Sequence, residues 1–377
     1  MLIEAPLHSW SRECQPRAPV TVGRSEANPT ACDIRRMRGK HKQYDANDEL
    51  PFVSMGDVRP GSYGRVDKVR SKTSSDIVFA RKRWWKHDQR SRSKHLEEIR
   101  LLSKLEHWHI VEVVTSYQKE DELGCLMAPF ANIDLRNLLR SEICPKSTLK
   151  RGLGCLVAGL AFIHQENIIH GDIKPGNILL HDDRFLYADF GCSKDVHGLD
   201  KSATEATVPG TPAYAAPELF EHLPRGRSAD VFSLGCVLLE IFSVMGDHGS
   251  QIEVPTSFVA LAPYAYHIPG VKSWLRQRAE EHGSAVESMW LDICSKMLQV
   301  EPKDRPRAHE LHNIIASKCE QGQKDGIFCT YCVRQGVEVC SSPVDQDTDP
   351  EHTEAELSLA HERVRAQVSQ VSRHHDL

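Results

Sequence analysis

The chain has 377 residues, 40% of them hydrophobic and 26% charged, with a formal net charge of -5. That length suits one large or two ordinary domains with a real core, and the mildly acidic balance gives no reason to expect a nucleic-acid partner. No apolar run reaches the ~18 residues of a membrane-span candidate, and the start, MLIEAPLHSWSREC, carries an early acid and no apolar core, so neither a membrane span nor a secretory leader is expected. The twelve scattered cysteines are then expected to be reduced thiols of a cytoplasmic or nuclear protein.

Residues 1–45 are rich in Pro, Ser, Arg and Asn and show little periodicity, which predicts a disordered arm. Inside it RRMRGKHK (Arg35 to Lys42) reads as a solvated charged stretch or, alternatively, as a nuclear-import or acidic-surface signal. From Pro51 the texture changes. FVSMGDV, GRVDKVR and DIVFARKRW alternate apolar and polar residues with glycine between them, the pattern of antiparallel strands. SKHLEEIRLLSKL follows, with Leu96, Ile99, Leu102 and Leu105 at steps of three, and predicts a helix. IVEVVTSY and LGCLMAPF are two more strands. Beyond Phe130 helices dominate: STLKRGLGCLVAGLAFIHQEN, the nearly all-apolar SADVFSLGCVLLEIFSV, and the amphipathic SAVESMWLDICSKMLQV and RAHELHNIIASK. A small sheet with one helix is thus followed by a helical lobe. The junction near Ala128 to Asn132 implies a cleft, a favoured place for a small ligand. The folded region is expected over 46–319. Residues 320–377 are expected to be a mostly disordered tail, with one short helix near 355–372.

Several polar residues point to phosphate chemistry. Gly61 and Gly64 stand on a turn between two strands, where backbone N–H groups approach phosphate oxygens unobstructed. Lys82 lies in the next strand and Glu98 on the helix after it; a lysine held by a glutamate reaches phosphates with fixed geometry. In HGDIKPGNILL, Asp172, Lys174 and Asn177 sit in a loop leading into a strand, and Asp189 ends another strand in YADFG. Asp189 and Asn177 offer the hard oxygens that suit Mg²⁺. Asp172 is left to accept a hydroxyl proton, and Lys174 to neutralise charge on a transferred group. Each residue also has a plain alternative as a cap, a turn residue or a solvated charge; order and spacing over more than a hundred residues make the set.

From about Phe52 to Lys318 the sequence resembles a eukaryotic protein kinase catalytic domain, on PGSYGRV, FARK, EIRLLSKLEHWHIV, HGDIKPGNILL, ADFG, GTPAYAAPE, DVFSLG and EPKDRP. The resemblance implies an α+β, two-lobed fold: a small β-rich N-lobe with one helix and a larger, mainly helical C-lobe. It implies ATP and Mg²⁺ as cofactors. Lys82 contacts the α- and β-phosphates and pairs with Glu98; Asp172 is the catalytic base; Asn177 and Asp189 hold the metal. Val66, Ala80 and Leu179 sandwich the adenine, Met127 backs the pocket, Ala128 and Phe130 meet the adenine edge through their backbone, and Asp134 reaches the ribose. Glu218 pairs with Arg305, and Asp230 anchors the catalytic loop. Lys174 and Thr211 match serine/threonine rather than tyrosine specificity, so the expected partners are proteins with Ser/Thr acceptors.

The pattern departs from the family in three places. The first glycine of the phosphate loop is Arg59, followed by Pro60. The hinge carries Ala128-Pro129. Gly171 replaces the arginine that usually reads a phosphate on the activation segment. Ser193, Ser202, Thr204 and Thr207 are candidate phosphosites there, and with the cation missing, activity is expected not to depend strongly on their phosphorylation. Cys329 and Cys332 have the spacing of half a zinc site, but Cys319 and Cys340 complete no framework, so free thiols are expected. The alternative function is a pseudokinase scaffold that binds nucleotide or protein partners with little catalysis. A small-molecule kinase fits poorly with the APE segment.

Overall fold

The computed structural model describes residues 39, 41–61, 64–73, 77–85, 89–141, 144–182, 184–197, 210–245, 263–281 and 285–317. They fall into two compact units. One holds residues up to Lys86 together with Val114–Phe130, and the other His87–Val113 and everything from Ala131 onward.

The first unit is built on strands β1 (Lys42–Tyr44), β2 (Phe52–Gly61), β3 (Gly64–Ser71) and β4 (Val78–Trp85); after helix α1 (Gln89–Lys104), which belongs to the second unit, come β5 (Glu112–Lys119) and β6 (Glu122–Ala128). The sheet order is β1-β5-β6-β4-β3-β2. The alternating stretches do pair antiparallel as their pattern predicts: Val69 faces Phe79, and Lys82 faces Cys125. Phe52, Val69, Phe79, Val114, Tyr117, Leu126 and Ala128 form the core. An ion pair is buried beside it. Asp67 is fully inaccessible and accepts from Arg81 at 3.0 and 2.6 Å and from Ser54 at 2.7 Å, with Arg83 at 3.1 Å. A buried carboxylate survives only when paired in this way. Strand β1 corrects the expected arm boundary at 45, since Lys42–Tyr44 adds to β5 in parallel; residues 1–38 lie outside the described ones.

The second unit continues with β7 (Ile133–Asp134), α2 (Leu135–Leu139), α3 (Lys146–Gln165), β8 (Ile168–Ile169), β9 (Ile178–His181), β10 (Arg184–Tyr187), β11 (Lys194–Asp195), α4 (Pro217–Phe220), α5 (Arg227–Met245), α6 (Ile268–Glu281), α7 (Ala285–Met297) and α8 (Ala308–Ser317). Two small sheets, β10-β9-β7 and β11-β8, frame the polar loop between β8 and β9. Helix α5 is long and apolar enough to cross a membrane by length and composition, with a mean hydropathy of 1.7; most of it is packed inside this unit, as its all-round apolarity predicts.

Two expectations for helices need correction. Leu96 is 39% exposed, whereas Glu98, Ile99, Leu101 and Leu102 are buried, and Leu105 is buried just past the helix end. Steps of three drift by about 60° round a helix of 3.6 residues per turn, so four such positions cannot share one face. Helix α6 was not among the expected elements, although Ile268, Val271, Trp274 and Leu275 keep helical spacing and are all buried. Pro269 and Gly270 in its first turn mask the signal, yet proline is tolerated there because the first N–H groups have no intrahelical acceptor. The tail, with Cys319, Cys329, Cys332, Cys340 and the expected helix near 355–372, lies outside the described residues, as do Ser202, Thr204 and Thr207.

Candidate active site

In the second unit the chain leaves β8 at Ile169 and enters the loop His170 to Lys174, then a short 3₁₀ turn, Pro175–Asn177, that feeds β9. The loop is held from below by Asp230, in the first turn of α5 and only 2% exposed. Its carboxylate accepts the backbone N–H of His170 at 2.7 Å and of Gly171 at 2.9 Å, and Nε2 of His164 lies 3.1 Å away. Burial alone would raise its pKa. The hydrogen bond and charge of His164, the charge of His170 and the Gly171 N–H outweigh that and hold it below the usual carboxylate range. This is the anchoring expected of Asp230.

Asp172 is buried and held at both oxygens. Oδ1 accepts the backbone N–H of Thr211 at 2.7 Å; Oδ2 accepts from Lys174 Nζ at 2.7 Å and Asn177 Nδ2 at 2.9 Å. Lys174 also donates to the Thr211 hydroxyl at 2.7 Å, and Asn177 Nδ2 to the Asp172 carbonyl at 2.8 Å. The three loop residues and Thr211 are therefore brought together as the sequence predicts. They form one charge-assisted network that fixes the carboxylate's orientation.

Asp189 does not end a strand. β10 stops at Tyr187, and Asp189 sits beyond it in the left-handed region at φ 63°. The Ala188 N–H donates to the Asn177 carbonyl at 2.9 Å, which brings the two expected metal ligands onto neighbouring backbone. Because Asn177 spends its Nδ2 on Asp172, its amide oxygen is the atom turned to other use, and oxygen is what Mg²⁺ requires. Among the described residues no group of three or more His, Cys, Asp or Glu could hold a metal alone. A carboxylate and an amide oxygen do fit a magnesium ion that keeps substrate phosphates in its shell. Phe190 is buried behind them, its ring 4.7 Å from that of His170.

The remaining expected residues divide between the units. In the second, Leu179 and Asp134 face each other across β9 and β7, and Glu98 is buried on α1. Asp134 also caps α2, accepting the Asn137 N–H at 2.8 Å. In the first, Lys82 is buried with Nζ 5.3 Å from the Trp84 ring centroid. Val66 is its partner across β3, and Ala80 pairs with Met127. Gly61 and Gly64 pair with each other at the ends of β2 and β3. Ala128 and Phe130 are buried around a cis Ala128–Pro129 peptide.

Glu218 and Arg305 form a buried bidentate pair at 2.7 Å for both contacts, as expected. Lying over α5, Tyr214 and Tyr264 both donate to Glu240, at 2.7 and 3.0 Å; burial pushes that carboxyl up.

A family model, the protein kinase domain, matches residues 53–314. The chain belongs to the protein kinase family. This kinase domain is 33% identical over 189 residues to Serine/threonine-protein kinase TIO of Arabidopsis thaliana, covering 49% of this chain and 14% of that one. It is 32% identical over 190 residues to Serine/threonine-protein kinase Nek3 of Mus musculus, covering 49% and 36%. With Cyclin-dependent kinase-like 5 of Homo sapiens it shares 27% over 277 residues, 67% of this chain and 28% of that one. The kinase chain thus spans a small part of the length of these relatives.

Sequence reasoning missed His164, Tyr264, Glu240 and Arg225, which bear on the same loop and the segment after Thr211. Only the identity of Glu240, an acid within the apolar stretch that follows Asp230 on α5, was a visible signal.

Proposed function

We propose that this kinase domain is catalytically active and transfers the γ-phosphate of ATP to serine or threonine hydroxyls of protein substrates, with Mg²⁺. The observation that carries the reading is the Asp172 carboxylate, held at both oxygens by Lys174, Asn177 and the Thr211 N–H. A carboxylate so oriented accepts the proton of an attacking hydroxyl as its oxygen bonds to phosphorus and the bond to the ADP oxygen breaks. Lys174, between Asp172 and Thr211, places a positive charge beside the group in transfer. Asn177 and Asp189 would hold the metal, which when bound neutralises charge on the phosphates. Lys82, a buried cation on β4, would contact the nucleotide phosphates. Proximity of Thr211 to Asp172 supports serine/threonine acceptors, in keeping with the names of TIO and Nek3.

The test compares the wild type with Asp172→Asn, using Mg-ATP and a generic basic protein. The variant is expected to lose transfer by about 10²–10⁴-fold while still binding nucleotide. Equal transfer by both proteins, or none by a wild type that binds nucleotide, returns the domain to the scaffold reading.

A further inference from the structure

Gly171 leaves the loop without the family's cation, yet a guanidinium stands beside it. Arg225 comes from the segment between α4 and α5, and its Nη1 donates to the Gly171 carbonyl at 2.5 Å. Three stretches of chain converge on it. Gly171 has φ +80°, and a Cβ there would stand 2.5 Å from the Cys192 carbonyl oxygen and 2.9 Å from Arg225 Nη1. Gly210 has φ +107°, and a Cβ there would stand 2.7 Å from the Gly171 carbonyl, 3.3 Å from Asp172 Oδ1 and 3.4 Å from Arg225 Nη2. Ser193, next to Cys192, donates to the His170 carbonyl at 2.8 Å. The guanidinium therefore lies where the catalytic loop, the turn after Asp189 and the start of the Gly210–Thr211 segment meet. A side chain at 171 would meet the Cys192 backbone carbonyl first and crowd the Arg225 head beside it.

We propose that Arg225 is a positioning residue for phosphoryl transfer. It supplies from a remote segment the positive charge that position 171 lacks, and it holds the Gly171 carbonyl so that the Thr211 N–H stays on Asp172 without a phosphate on the activation segment. The inference rests on the proposed kinase activity. A charge-assisted bond from arginine to a carbonyl is strong and directional. The contact lies between two parts of the described fold, so this order is built in rather than switched.

The experiment uses the full chain. kcat, the KM for ATP, nucleotide affinity and melting temperature are measured for the wild type, Arg225→Ala and Arg225→Lys, and for wild type treated with phosphatase. Arg225→Ala is expected to lower kcat by about 10–100-fold, the scale of a misplaced catalytic group, with ATP affinity and melting temperature unchanged. Arg225→Lys is expected to recover part of kcat, and phosphatase treatment to leave wild-type kcat within about twofold. Wild-type kcat in Arg225→Ala, no recovery in a folded Arg225→Lys, or loss of wild-type activity on phosphatase treatment overturns the proposal. Should Arg225→Ala fail to fold, Arg225→Gln replaces it, with the same reduced or wild-type kcat deciding. Failure of the underlying kinase reading shows separately, as a wild type that binds nucleotide and transfers nothing; the proposal then falls with it.

Discussion

Arg305 and Glu218 show what a single pair of residues decides. Their side chains are 0% and 3% exposed, and Arg305 also donates to the carbonyls of Gln299, Ser228 and Val300. Both charges of the pair are satisfied inside the unit, so the cost of breaking it comes from the partner left behind. Arg305→Met is expected to destabilise by about 3–5 kcal/mol, because it strands the Glu218 carboxylate in a dry place. The double change Arg305→Met with Glu218→Gln is expected to cost clearly less than the sum of the two single changes. Urea unfolding of the four proteins checks this; additive losses would remove the coupling. The pair was legible from the sequence because both residues sit in motifs of fixed order. Arg225 was not, since it lies 54 positions from Gly171 and no spacing rule links them.

Helix α3 shows how elements constrain each other. Gly152 and Gly159 lie well inside it, where helix propensity alone favours alanine by about 1 kcal/mol. Against β10 the sign reverses. A Cβ at Gly152 would run into the Phe185 ring, and one at Gly159 would stand 2.9 Å from the Tyr187 ring. Gly152→Ala is therefore expected to lower stability by about 1–3 kcal/mol through overpacking, measurable as a drop in denaturation midpoint. A rise would mean that Phe185 has room to move. The same logic separates α1 from its sequence. Its hydrophobic stripe was visible, but burial of Glu98 and exposure of Leu96 depend on which face the second unit covers. On the outer side of α1, Arg100 and Lys104 reach Asp195 of β11 at 3.2 and 2.9 Å. Burial opposes the effect, but the hydrogen bond from Lys104 leads the contacts that bring the Asp195 carboxyl down to about 2.

At the scale of the molecule, histidines set the response to acid. Burial is the first cause holding His170, His181, His267 and His312 below the usual imidazole value. The unfolded chain therefore binds more protons than the folded one as pH falls through the ordinary value, 6.5. Stability from these groups is complete above that pH and is lost progressively below it. The melting temperature is expected to fall between about pH 7.5 and 5.5, and His170→Gln to flatten part of that slope. A melting temperature that stays level across this range would show that these groups protonate without cost in the fold.

The sequence by itself determined strands β2 to β6 of the sheet, the apolar helices of the second unit and the placing of Asp172, Lys174 and Asn177 together in one loop. Those signals are local: side-chain alternation, helical period and short fixed spacing survive without knowledge of the fold. Only the tertiary structure decided that β1 joins the sheet, that α6 exists behind its proline, and that Asp230 and His164 meet under the His170–Lys174 loop. It also put Arg225 beside Gly171. Each of these depends on contacts between residues far apart in the chain. Their energy comes from burial and from satisfying charges and N–H groups away from water, and neither can be assigned until the surrounding residues are in place.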